Sequence, residues 1–174
     1  SLAEITKRKR DGVYYTPDWV TKYIVEQTVG LRLAEIRTEL GFERIGVVTD
    51  EQIRANRSDG RKAPVVKEYH TALYAYSNRL DALKVVDPAC GSGAFLIQAF
   101  QFLSEQRQWV AAELERVTGL LSLFDTFTSM RAVLANNLYG VDINPESIEI
   151  TRLALWLHTA LPDRPYEICD HHQP

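Results

Sequence analysis

The sequence predicts an α/β fold with a parallel sheet, and three observations support it. Two short apolar runs, Leu83–Val86 and Leu138–Val141, each end at a carboxylate, Asp87 and Asp142. Each is followed by a turn signal: Asp87-Pro88-Ala89-Cys90-Gly91-Ser92-Gly93 after the first, and Asn144-Pro145-Glu146 after the second. A stretch with apolar residues at helical spacing then follows each turn. Strands that alternate with helices pair in parallel through right-handed crossovers. Tyr166–Cys169 reads as a third strand, after a helix ended by Pro162 and Pro165. A complete doubly wound sheet needs more strands than these. Together with the start at Ser1 rather than Met, this reads as the first half of such a sheet.

The other elements follow in order. Residues 1–12 are polar, and Lys7-Arg8-Lys9-Arg10 reads as a solvated arm, with phosphate contact as the lesser alternative. In Thr16-Pro17-Asp18, Thr16 can cap a helix, Pro17 suits its first position and Asp18 complements its positive end. Val20, Tyr23, Ile24, Gln27 or Thr28, Leu31 and Ala34 form the expected buried face, and Gly41 and Gly46 break the pattern. Residues 47–67 are polar and basic, with Arg54, Arg57, Arg61, Lys62 and Lys67. Asp59-Gly60 reads as a turn and Pro64 as a breaker, so a surface excursion is expected there. Residues 68–80 look helical, with Leu73, Tyr76 and Leu80 on one side. Helices are expected over about 93–106, with Phe95, Leu96, Ala99, Phe100 and Leu103 inward, over 107–118, ending near Gly119, and over 128–135. The helix after Asn144 is expected to bury Ile150, Leu153, Ala154, Leu157 and Leu161.

Bulk composition sets limits. The 174 residues are 45% hydrophobic and 25% charged, ordinary for a soluble domain. No apolar run approaches the roughly 20 residues needed to cross a bilayer. Two cysteines, Cys90 and Cys169, make no disulfide framework, which points to a reducing, cytoplasmic setting. The net charge of −3 gives no support to nucleic-acid clamping by this segment alone.

The glycine turn carries the chemistry. Gly91 and Gly93 begin a dinucleotide fingerprint, but its third glycine is replaced by Leu96. There is no Gly-Lys-Ser or Gly-Lys-Thr, and no Lys or Arg over 85–100 to meet a phosphate. Instead Asp87 stands at the strand end, which suits a ligand bearing an ammonium or sulfonium charge. The alternative is a plain tight turn capped by Asp87. Asp142, at the end of the second strand, stands where ribose hydroxyls are held, and Ile143 suits one face of an adenine ring. The separation of Asp87 from Asp142 far exceeds the roughly 20 residues of a minimal unit, and an extra helical segment near 107–136 accounts for it. Asn144 is expected to cap the following helix, leaving Asp142 free for a ligand. Tyr14-Tyr15-Thr16-Pro17 can hold a carboxylate at a helix start, although alone it is only a capping motif.

Taken together, Tyr15-Thr16-Pro17, Asp87 through Gly93 and Gly140 through Pro145 resemble the gamma-type N6-adenine DNA methyltransferases of restriction–modification and phage-defence systems. The resemblance implies a Rossmann-like S-adenosylmethionine-dependent methyltransferase fold, incomplete, with an N-terminal helical extension. Residues 1–80 would carry the Y-T-P element and 81–174 the first half of the cofactor domain. It also implies that Tyr15, Thr16 and Pro17, with Pro88, Ala89, Cys90, Gly91 and Gly93, surround the methionine part of S-adenosylmethionine. Asp87 would lie near its amino group, Asp142 on its ribose, and Ile143 and Asp170 by its adenine. DNA would be the partner, with a specificity subunit or a fused recognition or endonuclease region.

The family's catalytic element, N/D-P-P-Y/F, would stack on a flipped-out adenine. It is absent: no two prolines are adjacent, and Asn144-Pro145-Glu146 lacks both the second proline and the aromatic. Cofactor binding without methyl transfer is therefore expected of these residues alone. RNA or protein-glutamine methylation, or a non-catalytic scaffold, are the alternatives. Cys169-Asp170-His171-His172 lacks a second ligand cluster for a metal. Cys90 lacks an indicated base partner and reads as a small buried residue.

Overall fold

The computed structural model describes residues 16–58, 64–120 and 126–159. In chain order these form α1 (Asp18–Val25), a π-helical turn (Glu26–Gly30), α2 (Leu31–Glu39), α3 (Phe42–Ile45), α4 (Asp50–Ser58), α5 (Pro64–Ala82), β1 (Val85–Asp87), α6 (Ala94–Thr118), α7 (Thr126–Asn136), β2 (Leu138–Gly140) and α8 (Pro145–His158). The expected third strand, Tyr166–Cys169, and the basic run Lys7–Arg10 lie outside the described residues, as do Asp59-Gly60 and Leu161.

β1 and β2 pair in parallel, with Val85 opposite Leu138, Val86 opposite Tyr139 and Asp87 opposite Gly140. Among the described residues the expected α/β character takes the form of a small parallel sheet amid helices. The ladder extends beyond the strands: the Val85 N–H donates to the Asn137 carbonyl (2.7 Å) and the Val141 N–H to that of Asp87 (2.9 Å). Strand alternation sends Val85 and Leu138 into the core and turns Val86 and Tyr139 outward.

Several elements depart from the sequence reading for physical reasons. Pro17 is the N-cap residue of α1, no side chain caps that helix, and Thr16 precedes it without the expected capping role. The Pro17 carbonyl accepts from Val20 (2.9 Å) and Thr21 (3.2 Å) instead. The buried line is Thr21, Val25, Val29, Leu33 and Ile36, while Tyr23, Ile24, Leu31 and Ala34 are exposed. Thr21 tolerates burial because its hydroxyl donates to the Asp18 carbonyl (2.9 Å). The wider π turn keeps residues four apart on one side.

The expected excursion over 47–67 contains α4 and the start of α5. Thr49 and Gln52 form a reciprocal box: the Gln52 N–H donates to Thr49 Oγ1 (3.3 Å) and the Thr49 N–H to Gln52 Oε1 (2.8 Å). Pro64 begins α5 rather than breaking a helix, which suits a residue without an N–H to bond. The two helices expected over 93–118 are one, since no Gly or Pro interrupts Ala94–Thr118. It ends at Gly119, whose φ of 73° places it in the left-handed region.

Two apolar clusters hold these elements. One joins Val25, Val29, Leu33 and Ile36 to Tyr76, Leu80, Leu96, Phe100, Leu103, Val133 and Leu138. Helices before residue 80 thus share a core with α6 and the sheet. The other gathers Ile45, Val48, Ile53, Val66, Tyr69, Leu73 and Val117, and Trp109 packs against both. The Arg37 guanidinium lies 4.2 Å over the Trp109 ring. Asn137, wholly buried, ties the sheet to α5 by donating to the carbonyls of Leu80 and Leu83, both at 2.7 Å. The sequence-expected faces of α5 and α6 are buried, except that Phe95 is half-buried.

On α8 the face differs. Ile150, Leu153 and Leu157 are each 54–55% exposed, Ala154 is half-buried, and Thr151 is buried. Ile148 and Leu155 pack against the core in place of the expected stripe.

Candidate functional site

Parallel strands deliver their carboxyl ends to one edge, and there the loop after β1 meets the loop after β2. Asp87, Pro88, Ala89, Cys90, Gly91 and Gly93 lie on the first loop, and Asp142 and Ile143 on the second. The structure brings these two groups together. The Cys90 N–H donates to the Val141 carbonyl (2.9 Å), and the Gly91 N–H donates to Asp142 Oδ2 (2.8 Å). The turn closes on itself through the Gly93 N–H and the Cys90 carbonyl (2.8 Å).

Two glycines permit this contact. Gly93 has φ of 86°, and a Cβ there would lie 2.7 Å from Thr151 Cγ2. A Cβ on Gly140 would lie 2.8 Å from Leu96 and 3.0 Å from the Cys90 sulfur. A side chain at either position would push the turn away from β2 and α8.

The two acids differ. Asp142 is not free, as the sequence had suggested. Its Oδ1 accepts from the Asn144 N–H (2.8 Å) while its Oδ2 holds Gly91. These N–H groups, Asn144 first, hold the Asp142 carboxyl below its ordinary value. Asn144 caps α8 as expected, with its Oδ1 accepting from the Glu146 N–H (3.0 Å). Asp87 Oδ1 accepts from the Ala89 N–H (3.1 Å), but Asp87 Oδ2 is buried and has no hydrogen-bond partner. A buried acceptor left unpaired costs roughly 1–3 kcal/mol, more when charged. An ammonium donor would relieve that cost, so the residues present fit a cationic ligand head.

Asp87 also lines a cleft of about 250 Å³ between α1, β1 and the start of α6, whose other walls include Ile24, Thr28, Val86, Pro88 and Phe95. Among the described residues no Lys or Arg lines it. Ile143 is fully exposed beside Asp142. Burial pushes the Cys90 thiol up, with help from the Asp87 and Asp142 carboxylates, which makes it a poor nucleophile. Thr16 and Pro17 stand before α1, and no hydrogen bond joins them to the glycine turn. Tyr15 and Asp170 lie outside the described residues. The sequence reading missed Thr151, whose hydroxyl donates to the Gly91 carbonyl (2.8 Å). Its one sequence signal is a hydroxyl among the apolar residues of α8.

A family model described as "MmeI, DNA-methyltransferase domain" matches residues 62–171. The chain belongs to the MmeI DNA-methyltransferase domain family. The resemblance to DNA methyltransferases of restriction–modification type thus stands. The chain is 34% identical over 151 residues to a candidate type II restriction enzyme and methyltransferase of Methanocaldococcus jannaschii, covering 84% of this chain and 12% of that protein. It is 22% identical over 153 residues to the adenine-specific methyltransferase BrxX of Escherichia coli strain HS, covering 86% and 11%. It is 28% identical over 145 residues to the adenine-specific methyltransferase PglX of Lacticaseibacillus casei strain Zhang, covering 82% and 11%. The MmeI-family chain therefore spans about a tenth of the length of these relatives. No solved structure matches it.

Proposed function

We propose that this chain is the cofactor-holding part of an S-adenosylmethionine-dependent DNA adenine-N6 methyltransferase of a restriction–modification or related defence system, built on a Rossmann-like domain. The observation that carries the reading is the buried, unpaired Asp87 Oδ2 at the carboxyl edge of a parallel sheet. Asp87 accepts the amino group of the cofactor's methionine part. The first turn of α6 has N–H groups without intrahelical partners and the positive end of the helix dipole, so it favours the carboxylate of the same head. An amino-acid zwitterion complements both.

Each Asp142 oxygen has one N–H bond and further lone-pair capacity, enough to accept ribose hydroxyls. Ile143 offers an apolar face to the adenine, with Asp170 assigned beside it. Tyr15, Thr16 and Pro17 are assigned to the methionine part with the backbone of the glycine turn. Residues 1–80 act as the helical region bearing the Y-T-P element and 81–174 as the cofactor part. The bound group supplies an electrophilic methyl on a sulfonium.

The N/D-P-P-Y/F element is not in this sequence. Contact with the target adenine, DNA recognition and any endonuclease or specificity subunit are therefore assigned to other parts of a longer protein, in keeping with the length of the relatives. A cytoplasmic setting fits that role. Among the described residues no helix is long and apolar enough to cross a membrane.

Calorimetry of the 174-residue chain with S-adenosylmethionine tests the reading. The unsubstituted chain is expected to bind, and Asp87→Asn and Asp142→Ala are each expected to lose about tenfold or more in affinity. No binding by the unsubstituted chain, or equal binding by all three, overturns it.

A further inference from the structure

We propose that Thr151 is a positioning residue that fixes the Gly91 peptide in the geometry the cofactor meets. The inference rests on the cofactor reading above and adds a residue from α8 that neither loop contains.

The Gly91 peptide is held from two directions. Asp142, 51 residues away, accepts its N–H, and Thr151, 60 residues away, donates to its carbonyl. The Thr151 methyl fits against Gly93, where no Cβ stands in the way. One side chain therefore touches both glycines of the turn.

Two features set this contact apart from ordinary helix packing. First, a helical Thr ordinarily bonds the carbonyl one turn back. Thr28, Thr71 and Thr118 do so, to Ile24, Lys67 and Leu114. Thr151 reaches a different element instead. Second, α8 carries a more apolar face, Ile150, Leu153 and Leu157, yet that face is turned outward while Thr151 is 4% exposed. The inward face places Thr151 between Ile148 and Leu155, so a hydroxyl is seated among packed apolar side chains although an all-apolar face was available on the same helix. The orientation of α8 is matched to its bond with the turn. Preorganised sites are held by such supporting bonds, and a loosely held turn loses affinity without losing its fold.

Two variants separate positioning from packing. Thr151→Val keeps the volume and the methyl but removes the donor, leaving the Gly91 carbonyl unpaired. Thr151→Ser keeps the donor but removes the methyl against Gly93. The expected result is a split between the two readouts. Thr151→Val lowers the melting temperature through the unpaired carbonyl and weakens S-adenosylmethionine binding about tenfold when binding is measured well below the transition. Thr151→Ser lowers the melting temperature but binds within about twofold of the unsubstituted chain.

A second readout needs no cofactor. The Asp142 carboxyl, followed by carbon NMR against pH, should titrate higher in Thr151→Val, because a loosened Gly91 donates less well, and be unchanged in Thr151→Ser. Equal affinity and equal Asp142 titration in Thr151→Val overturn the inference. So does an affinity that merely follows melting temperature in both variants. Should the unsubstituted chain bind no S-adenosylmethionine, the cofactor reading fails by itself. The Asp142 titration then decides whether Thr151 fixes the turn.

Discussion

At Tyr69 a buried hydroxyl finds a carboxylate 2.7 Å away; at Asp87 a buried carboxylate oxygen finds no donor. The first case belongs to the helical cluster of α3, α4, α5 and the far end of α6. There Tyr69 donates to Glu113, Arg116 donates to Glu113 (2.7 Å) and to Asp50 (3.0 Å), and the same guanidinium reaches the Val48 carbonyl (3.2 Å). Burial first, and the bond to Glu113 second, push the Tyr69 hydroxyl up to about 12. The Arg116 guanidinium holds Glu113 below the usual carboxylate range and is itself raised by that bond. The second case is the glycine turn, where the backbone is closely fastened and one acid is left unanswered. The difference separates two uses of buried polarity. A closed network adds stability, whereas an open acceptor carries a penalty until a donor meets it.

The contrast can be broken or sharpened by substitution. The largest effect is expected at Leu73, fully buried in the helical cluster. Leu73→Ala should cost about 2–5 kcal/mol in denaturant unfolding while leaving cofactor affinity intact below the transition. A matching loss of affinity in the folded protein would mean that the two regions are not separable.

Next comes the pH dependence of the network. The folded-state value for Tyr69 is raised, so its contribution is full below its ordinary value of 10 and is lost as pH climbs toward about 12. The folded-state value for Glu113 is lowered, so its contribution is present above its ordinary value of 4.5 and is lost as pH falls through the lowered one. Tyr69→Phe and Glu113→Gln should each cost about 1–2 kcal/mol near neutrality. They should flatten the alkaline and the acid limb respectively in melting curves taken across pH.

The smallest effect, and the one of opposite sign, is expected at Asp87. Asp87→Asn removes a charge whose buried Oδ2 no donor meets, while the amide oxygen can still accept from the Ala89 N–H, and should leave the free chain unchanged or more stable by up to about 1 kcal/mol. A clear loss of stability would show that Asp87 Oδ2 is a structural acceptor after all.

Local chemistry was legible in the sequence wherever it acted within a few residues. The Gly91/Gly93 turn, the Asn144 cap and the two strand ends are short-range signals, and the structure reproduces them within a residue or two. The inward residues of α5 and α6 were legible for the same reason, because each helix has one dominant apolar face. What was hidden depends on partners distant in sequence. α8 turns Ile150, Leu153 and Leu157 outward and seats Ile148, Thr151 and Leu155 against elements distant in sequence, a choice of face that helical periodicity alone does not encode. At Thr21 the supporting bond is local, to the Asp18 carbonyl, but the face that α1 turns inward, Thr21 and Val25, is set by the elements packed against it. The role of Pro64 is hidden in the sequence because a proline that breaks a helix and one that begins it differ only in what precedes them. The Thr49–Gln52 box was present as a pattern and passed unread within a basic stretch. Asp142 was expected to be free because nothing in its neighbourhood announces that Gly91 will donate to it.

The three indoles are distributed across these regions. Trp109 sits under Arg37 between the two apolar clusters, Trp156 is half-buried on α8, and Trp19 stands in water on α1. The chain thus has its own optical labels. Versions retaining a single indole would report by fluorescence on the helical interior, on α8 and on the amino-terminal surface separately, without an added dye.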